Sequence, residues 1–303
     1  MFNRRSLLVA PLILTLALAG GHSAFAAGQA GRNYHIYSLY HVGYWVRDIA
    51  KSRAFYKDYL GFEEPYSLNY PDGTLQMAVM KVNERQVIYL FPNAAKILPN
   101  GDNLDHLGLE TDDLAALRED LLAKQIKVGE VHRGRIGDLI LGVKDPDGHT
   151  FEITQLTPEG QLLQHQGRGL PATRASDRLR SATIAVADLA ASVRFYRDIL
   201  GFKKTSEDAD TRATCMQVPN GDDFIVLTPI EKISSPTPTR GVPDYCLEVR
   251  DVAKLAERLT ARAKALGFAP PTALIDSPQN GRQISVIDPD GTRVVFKEVP
   301  ARS

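Results

Sequence analysis

Cysteine and tryptophan are scarce in this sequence, with two and one residues among 303. The two thiols, Cys215 and Cys246, both lie in the C-terminal half, which excludes a disulfide-stapled scaffold and a cysteine-rich zinc module. One bridge between them, or two small buried side chains, are the readings left. An excess of charge of one sign is missing as well. Lys plus Arg and Asp plus Glu stand at 36 each, with no acidic or basic tail, which argues against a nucleic-acid partner. What is present, 44% hydrophobic and 24% charged residues, is the balance of a globular protein, and the length suits two domains.

The one long apolar stretch, Leu7 to Gly21, follows Arg4 and Arg5 and precedes Ala24-Phe25-Ala26. At about fifteen residues it is short of the ~20 needed to span a bilayer. A positive start, an apolar run and small residues at a cleavage site together make a signal peptide over 1–26. The mature chain is then expected to begin near Ala27, periplasmic or secreted, with no stable membrane span after processing. The Arg4-Arg5 pair is also compatible with twin-arginine export, and the route stays open.

The chain repeats itself. Ser52-Arg-Ala-Phe-Tyr-Lys-Asp-Tyr-Leu-Gly-Phe62 returns as Ser192-Val-Arg-Phe-Tyr-Arg-Asp-Ile-Leu-Gly-Phe202, an offset of 140 residues. Asp145-Pro-Asp-Gly148 returns as Asp288-Pro-Asp-Gly291, an offset of 143. Two matches at nearly one offset mean a duplicated domain. Within each copy the pattern divides again. A strand at 38–47 leads to a helix capped by Asp48 and ending at Gly61, then to strands near 63–69, 74–82 and 85–92. From Leu104 the order restarts with a strand to Thr111, a helix from Asp112 to about Gln125, and strands near 128–133, 137–144 and 149–156. The expected architecture is α+β, four βαβββ units in two tandem domains, 35–157 and 178–299, joined by a linker at 158–177.

Alternate side chains of a strand point to opposite faces. His41, Gly43 and Trp45 oppose Val42, Tyr44 and Val46; His106 and Gly108 oppose Leu107 and Leu109; Glu152 opposes Phe151 and Ile153. The apolar sets are expected beneath the helices, and the others along a cavity wall. Two imidazoles and a carboxylate on that wall form a three-ligand set for a divalent metal, leaving coordination positions for a substrate and O₂ or water.

The βαβββ units, the FY-x-D-x-LGF helix end, the DPDG turn and the His41…His106…Glu152 spacing resemble the vicinal oxygen chelate superfamily, which includes glyoxalases, bleomycin resistance proteins and extradiol dioxygenases. The resemblance covers essentially the whole mature chain and implies a half-open barrel around a central metal held by those three residues. Tyr89 falls where glyoxalase I-like members carry a fourth ligand, and glutathione is not expected outside the cytoplasm; both weigh against a lactoylglutathione lyase. Aligning the copies puts Ser181, Asp244 and Val295 where the second domain's ligands would be, so one ion per chain is expected.

The segment from His132 to Glu152 is similar to the extradiol dioxygenase signature, with Gly142 in place of its tyrosine and one extra residue after the histidine. Members of that group keep their metal in the second domain, not the first. The resemblance implies Fe(II), with Mn or Zn as alternatives, and a catechol-like substrate. His132 is the implied proton-moving residue, or else a surface residue of a basic stretch. Tyr89, Trp45 and Arg135 are candidates for substrate contact, Arg135 through an anionic group. A non-redox isomerase, epimerase or lyase, and a small-molecule-binding resistance protein, are the competing readings. Homo-oligomerisation is left open.

Overall fold

A computed structural model describes residues 34–98, 101–230, 244–277 and 281–299. The leader expected over 1–26 lies outside these residues. The chain folds into two eight-stranded mixed sheets in tandem. The first takes the order β2-β3-β4-β1-β5-β8-β7-β6, and the second repeats it as β10-β11-β12-β9-β13-β16-β15-β14. The first half of domain one comprises β1 (Ile36–Val46), α1 (Ile49–Arg53), β2 (Glu63–Asn69), β3 (Leu75–Lys81) and β4 (Val87–Pro92). Its second half comprises β5 (Leu104–Thr111), α2 (Leu114–Ala123), β6 (His132–Arg133), β7 (Leu139–Lys144) and β8 (Thr150–Gln155). A short α3 (Gln161–Gln164) precedes domain two.

Domain two opens with β9 (Arg178–Val186), α4 (Leu189–Arg194), β10 (Lys203–Glu207), β11 (Thr214–Gln217) and β12 (Phe224–Pro229). It closes with β13 (Asp244–Val249), α5 (Val252–Leu266), β14 (Ile275–Ser277), β15 (Gly281–Ile287) and β16 (Arg293–Glu298). Strand alternation places the elements as expected. Val42, Tyr44, Val46, Leu107, Leu109, Phe151 and Ile153 are buried in one core with the helices. The helix starts are set by side-chain caps. Asp48 accepts from the amides of Ala50 and Lys51, and the cap of α2 is Asp113, one residue later than the expected start.

Both FY-x-D-x-LGF segments differ from a plain helix. After α1 the chain widens into a π-helical turn over Ala54–Tyr59, and after α4 into another over Phe195–Ile199. Gly61, at φ +79°, ends the first. The wider turn buries Phe55, Tyr56 and Tyr59 together, and Phe55 and Tyr59 pack on Phe268 of the other domain.

The repeated motifs meet across the two domains. Tyr56 donates to Asp288 Oδ2 at 3.0 Å, and Arg47 N to Asp290 Oδ1 at 3.0 Å. Reciprocally, Tyr196 donates to Asp145 Oδ2 at 3.0 Å, and Ala187 N to Asp147 Oδ1 at 2.9 Å. Each DPDG turn thus holds the helix of the opposite domain. Asp288 is fully enclosed, and burial pushes its carboxyl up to about 6. Tyr196→Phe is expected to lower stability by about 1–3 kcal/mol, because it leaves a buried acceptor short of one donor. A fall of the urea midpoint at unchanged slope measures it. Unchanged stability in Tyr196→Phe would mean that these turns do not hold the domains together.

Among the described residues no helix is long and apolar enough to cross a membrane.

Candidate metal centre

β1, β5 and β8 lie side by side, and register decides which side chains meet. Gly43 of β1 is opposite His106 of β5, and His41 is opposite Gly108. Gly108 is in turn level with Glu152 of β8. The three strands therefore bring His41, His106 and Glu152 to one point on the concave face. Their ligand atoms all lie within 4.8 Å of one another.

The donors fit a cation. His41 is fully buried, and neither of its ring nitrogens has a hydrogen-bond partner among the described residues. His106 Nε2 is buried and unpartnered in the same way, while its Nδ1 sits 2.6 Å from Asp105 Oδ2. That carboxylate holds the ring in the tautomer that frees Nε2 for a ligand role. Two buried, unpartnered imidazoles cost several kcal/mol unless something accepts their lone pairs, and an ion does so. Burial, then the neighbouring His106, lowers the pKa of His41 well below its ordinary value, which keeps it neutral as a ligand must be. Burial raises the Glu152 carboxyl, opposed by His106 and His132.

Glycine makes room for the cluster. A Cβ on Gly108 would lie 2.2 Å from His41 Nδ1 and 2.6 Å from its Cγ. The wall beyond is aromatic. The Tyr89 ring lies 4.3 Å from that of His41, and its hydroxyl shares a 3.0 Å hydrogen bond with Tyr40. Phe91 packs between Trp45 and His106, with ring centroids 5.2 and 5.8 Å away. Leu162 of α3 and Ile136 join Tyr40, Val79, Val87 and Tyr89 in a second apolar cluster on this face.

The other candidates are placed less centrally. His132, paired in register with Ile140, stands on the same face two positions along from Glu152. It is exposed, with Nδ1 3.2 Å from the Glu130 carbonyl, and close enough to Glu152 to act on its charge. Arg135 is also exposed and is tied to the β2–β3 hairpin, donating to the Asn69 carbonyl at 2.6 Å and to Gln76. The structure brings Tyr89 into the cluster, Trp45 to its edge, and Arg135 to the rim of the sheet.

Sequence reading missed Asp138. It is fully buried, accepts from Thr157 N at 2.9 Å, and leaves Oδ2 unpartnered. Burial pushes its carboxyl up to about 6, and the nearby Glu152 adds to the rise. No strand pattern marks it, because it stands in the turn between β6 and β7. A folded pKa above the unfolded one contributes stability present below about 4, which is lost as pH rises through about 6. In metal-free protein, Asp138→Asn is therefore expected to gain on the wild type by roughly 2–3 kcal/mol between pH 4 and pH 7. Parallel urea titrations at the two pH values check it; a difference that does not change with pH would sink the assignment.

Comparison with known proteins decides the family. The sequence profile of the Glyoxalase/Bleomycin resistance protein/Dioxygenase superfamily matches residues 38–153 and again 178–296. The chain belongs to this superfamily. A lactoylglutathione lyase of Arabidopsis thaliana is 23% identical over 271 residues, covering 84% of this chain and 89% of that protein. The Mn(II)-bound glyoxalase of Novosphingobium aromaticivorans superposes with a TM-score of 0.62 at 19% identity, over 88% of this chain and 84% of the other. The 2,3-dioxygenase LapB of Pseudomonas sp. KL28 superposes with a TM-score of 0.65 at 15% identity, over 89% and 94%. The superpositions show a shared fold, on which His41, His106 and Glu152 form a group that fits a divalent metal.

Domain two carries the same framework without the donors. Asp244 is opposite Thr183 as His106 is opposite Gly43, which makes Asp244 the counterpart of His106. Phe224 is opposite Ser181 as Val87 is opposite His41, and Val295 is level with Cys246 as Glu152 is with Gly108. Ser181, Asp244 and Val295 thus stand where the sequence alignment put them. Cys215 and Cys246 are both free thiols.

Proposed function

We propose that the chain is a metal-dependent ring-cleaving dioxygenase acting on a catechol-like vicinal diol, with Fe(II) at His41, His106 and Glu152. The observation that carries this reading is the wall opposite the triad. The position on β4 that could have supplied a fourth ligand holds Tyr89, whose hydroxyl is engaged with Tyr40. A set of three protein ligands would leave a divalent ion open to substrate oxygens. His41, His106 and Glu152 would hold the ion, which would supply Lewis-acid and redox chemistry for the reaction of a vicinal diol with O₂.

The chain's own groups do the remainder. His41 and His106, the latter steered by Asp105, would hold the ion. Tyr89, Phe91 and Leu162 exclude water from the reacting carbons, and Trp45 flanks an aromatic ring. His132, on the open side of Glu152, accepts a proton from a substrate hydroxyl and returns it to the product. Arg135 at the rim meets an anionic substituent. Several dioxygenases share the fold, which supports the reading only as far as fold does.

The second reading is a non-redox isomerase or lyase, favoured by the lactoylglutathione lyase relative and by Asp138, a buried carboxyl beside Glu152. Export to the periplasm or medium is part of the proposal, motivated by Arg4, Arg5 and the apolar run. An oxygen electrode separates the two chemistries. Fe(II)-loaded protein with a catechol should consume one O₂ per substrate lost and form a yellow ring-opened product. His132→Ala should retain its metal while turnover falls by ~10²–10⁴. Equal turnover under strict anaerobiosis would overturn ring cleavage and favour the Lewis-acid reading.

A further inference from the structure

The concave face of domain two holds a half-open cleft of about 530 Å³, in the range of small-molecule sites. Register relates its walls to those of the metal centre. Val226 stands where domain one has Tyr89, Ser181 where it has His41, and Val295 where it has Glu152. Each exchange takes a large or ligating side chain from the wall and leaves room behind. The floor is uncharged, with Phe224 opposite Ser181 and Val295 level with Cys246.

Charge lies toward the two ends of β13, whose Asp244, Cys246 and Glu248 alternate onto the cleft face. At one end Asp244 is paired with Arg293. Glu248 stands at the other, four residues or about 13 Å along the strand. Its counterpart in domain one, Glu110, is saturated, accepting from Ser38 Oγ at 2.9 Å and from Arg85 Nε at 3.2 Å. Glu248 is only 8% exposed, and its Oε2 is buried without a hydrogen bond among the described residues. Arg178 Nε lies 3.4 Å from it, but Arg178 aims Nε and Nη2 at Asp223 Oδ1, at 3.1 and 2.7 Å. Arg180 Nη1 lies 3.8 Å away, and its guanidinium stacks over Phe224, 5.0 Å from the ring centroid. Lys297 is level with Glu248 on the next strand. An anion brought to this end meets the carboxylate, and an ammonium meets the arginine and the lysine. A neutral hydroxyl donates to the first and accepts from the others, so it meets neither repulsion.

We infer that this cleft, having lost the metal donors, is a second small-molecule site for a neutral, hydroxyl-bearing aromatic compound. Its hydroxyl donates to the Glu248 carboxylate, and its ring lies against Phe224, Val226 and Val295. A fully polar ligand such as a sugar would leave that apolar wall unmatched. The inference does not depend on the reaction at the metal centre.

The test is isothermal titration calorimetry on the metal-free full chain, with 1-naphthol, 1-methoxynaphthalene and 1-naphthoate as probes. 1-Naphthol should fill one saturable site, with the same Kd in wild type and in His41→Ala. The ether, which has no proton to donate, and the carboxylate should each bind at least tenfold more weakly, the loss of one hydrogen bond to a charged group. Val226→Tyr, which restores the side chain domain one has at this position, should raise the Kd of 1-naphthol at least tenfold at an unchanged melting temperature. Glu248→Met should bring 1-naphthol down to the affinity of the ether and leave the ether as it was. An absence of saturable 1-naphthol binding up to millimolar concentration overturns the proposal. So does an ether or a naphthoate that binds as tightly as the naphthol, an unchanged Kd in folded Val226→Tyr, or binding lost in folded His41→Ala. A naphthol that keeps its advantage over the ether in folded Glu248→Met overturns it too. Should Glu248→Met fail to fold, the wild-type comparison of naphthol with ether decides the role of the hydroxyl.

Discussion

His41→Ala, His106→Ala and Glu152→Ala are each expected to leave a folded chain that retains no transition metal and no activity. Each removes one of three donors whose ligand atoms lie within 4.8 Å of one another. The group holds no fourth His, Cys, Asp or Glu among the described residues, and the facing Tyr89 hydroxyl is engaged with Tyr40. His41→Ala also removes two buried nitrogens that have no other partner among the described residues, which offsets part of the cost of the lost packing in metal-free protein, whereas His106→Ala also breaks the bond to Asp105. Asp105→Ala gives the graded comparison. It leaves all three donors and frees the His106 ring, and should cost 10- to 100-fold in metal affinity or activity. Metal analysis after dialysis, with circular dichroism as a folding check, reads all four. A stoichiometric ion in His41→Ala would place the site elsewhere.

Gly108→Ala should be nearly as damaging, although it removes no donor atom. Its new methyl would be born from the β5 backbone 2.2 Å from His41 Nδ1, closer than any real contact allows. His41 is enclosed on every side and cannot swing away without opening the sheet. The ring must move off the point where it meets His106 and Glu152, and metal should be lost together with about 1–3 kcal/mol of stability from overpacking. Gly142→Ala is the control, since a Cβ there meets nothing within 4 Å although its residue is opposite Glu152 in the sheet. Metal analysis and urea unfolding on the pair decide it. Equal metal content in the two variants would show that the close approach of Gly108 does not govern the position of His41.

Much of this centre could be read from the chain because its logic is local. Side chains alternate along a strand with period two, so His41, His106 and Glu152 separate from Val42, Leu107 and Phe151 without knowledge of the fold. The duplicated FY-x-D-x-LGF and DPDG segments disclosed the tandem repeat, and counting back from them located Ser181, Asp244 and Val295. Caps were equally legible, because an aspartate before a helix satisfies amides two and three residues on.

Tertiary structure alone decided the rest. That Tyr56 and Tyr196 hydrogen-bond to the aspartates of the opposite domain's turn depends on contacts 232 and 51 residues apart in the chain, which no short pattern encodes. Asp138 became notable only when its turn closed over it, since burial and not sequence raises its carboxyl. Arg135 and Arg133 look alike in a basic stretch, yet one is held by the β2–β3 hairpin and the other by the Gly137 carbonyl and Thr157. The cavity of domain two is the extreme case. The lost donors were visible one by one at Ser181, Asp244 and Val295, but a cleft belongs to opposing walls, and only the folded sheet brings Phe224, Val295 and Lys297 around the same space.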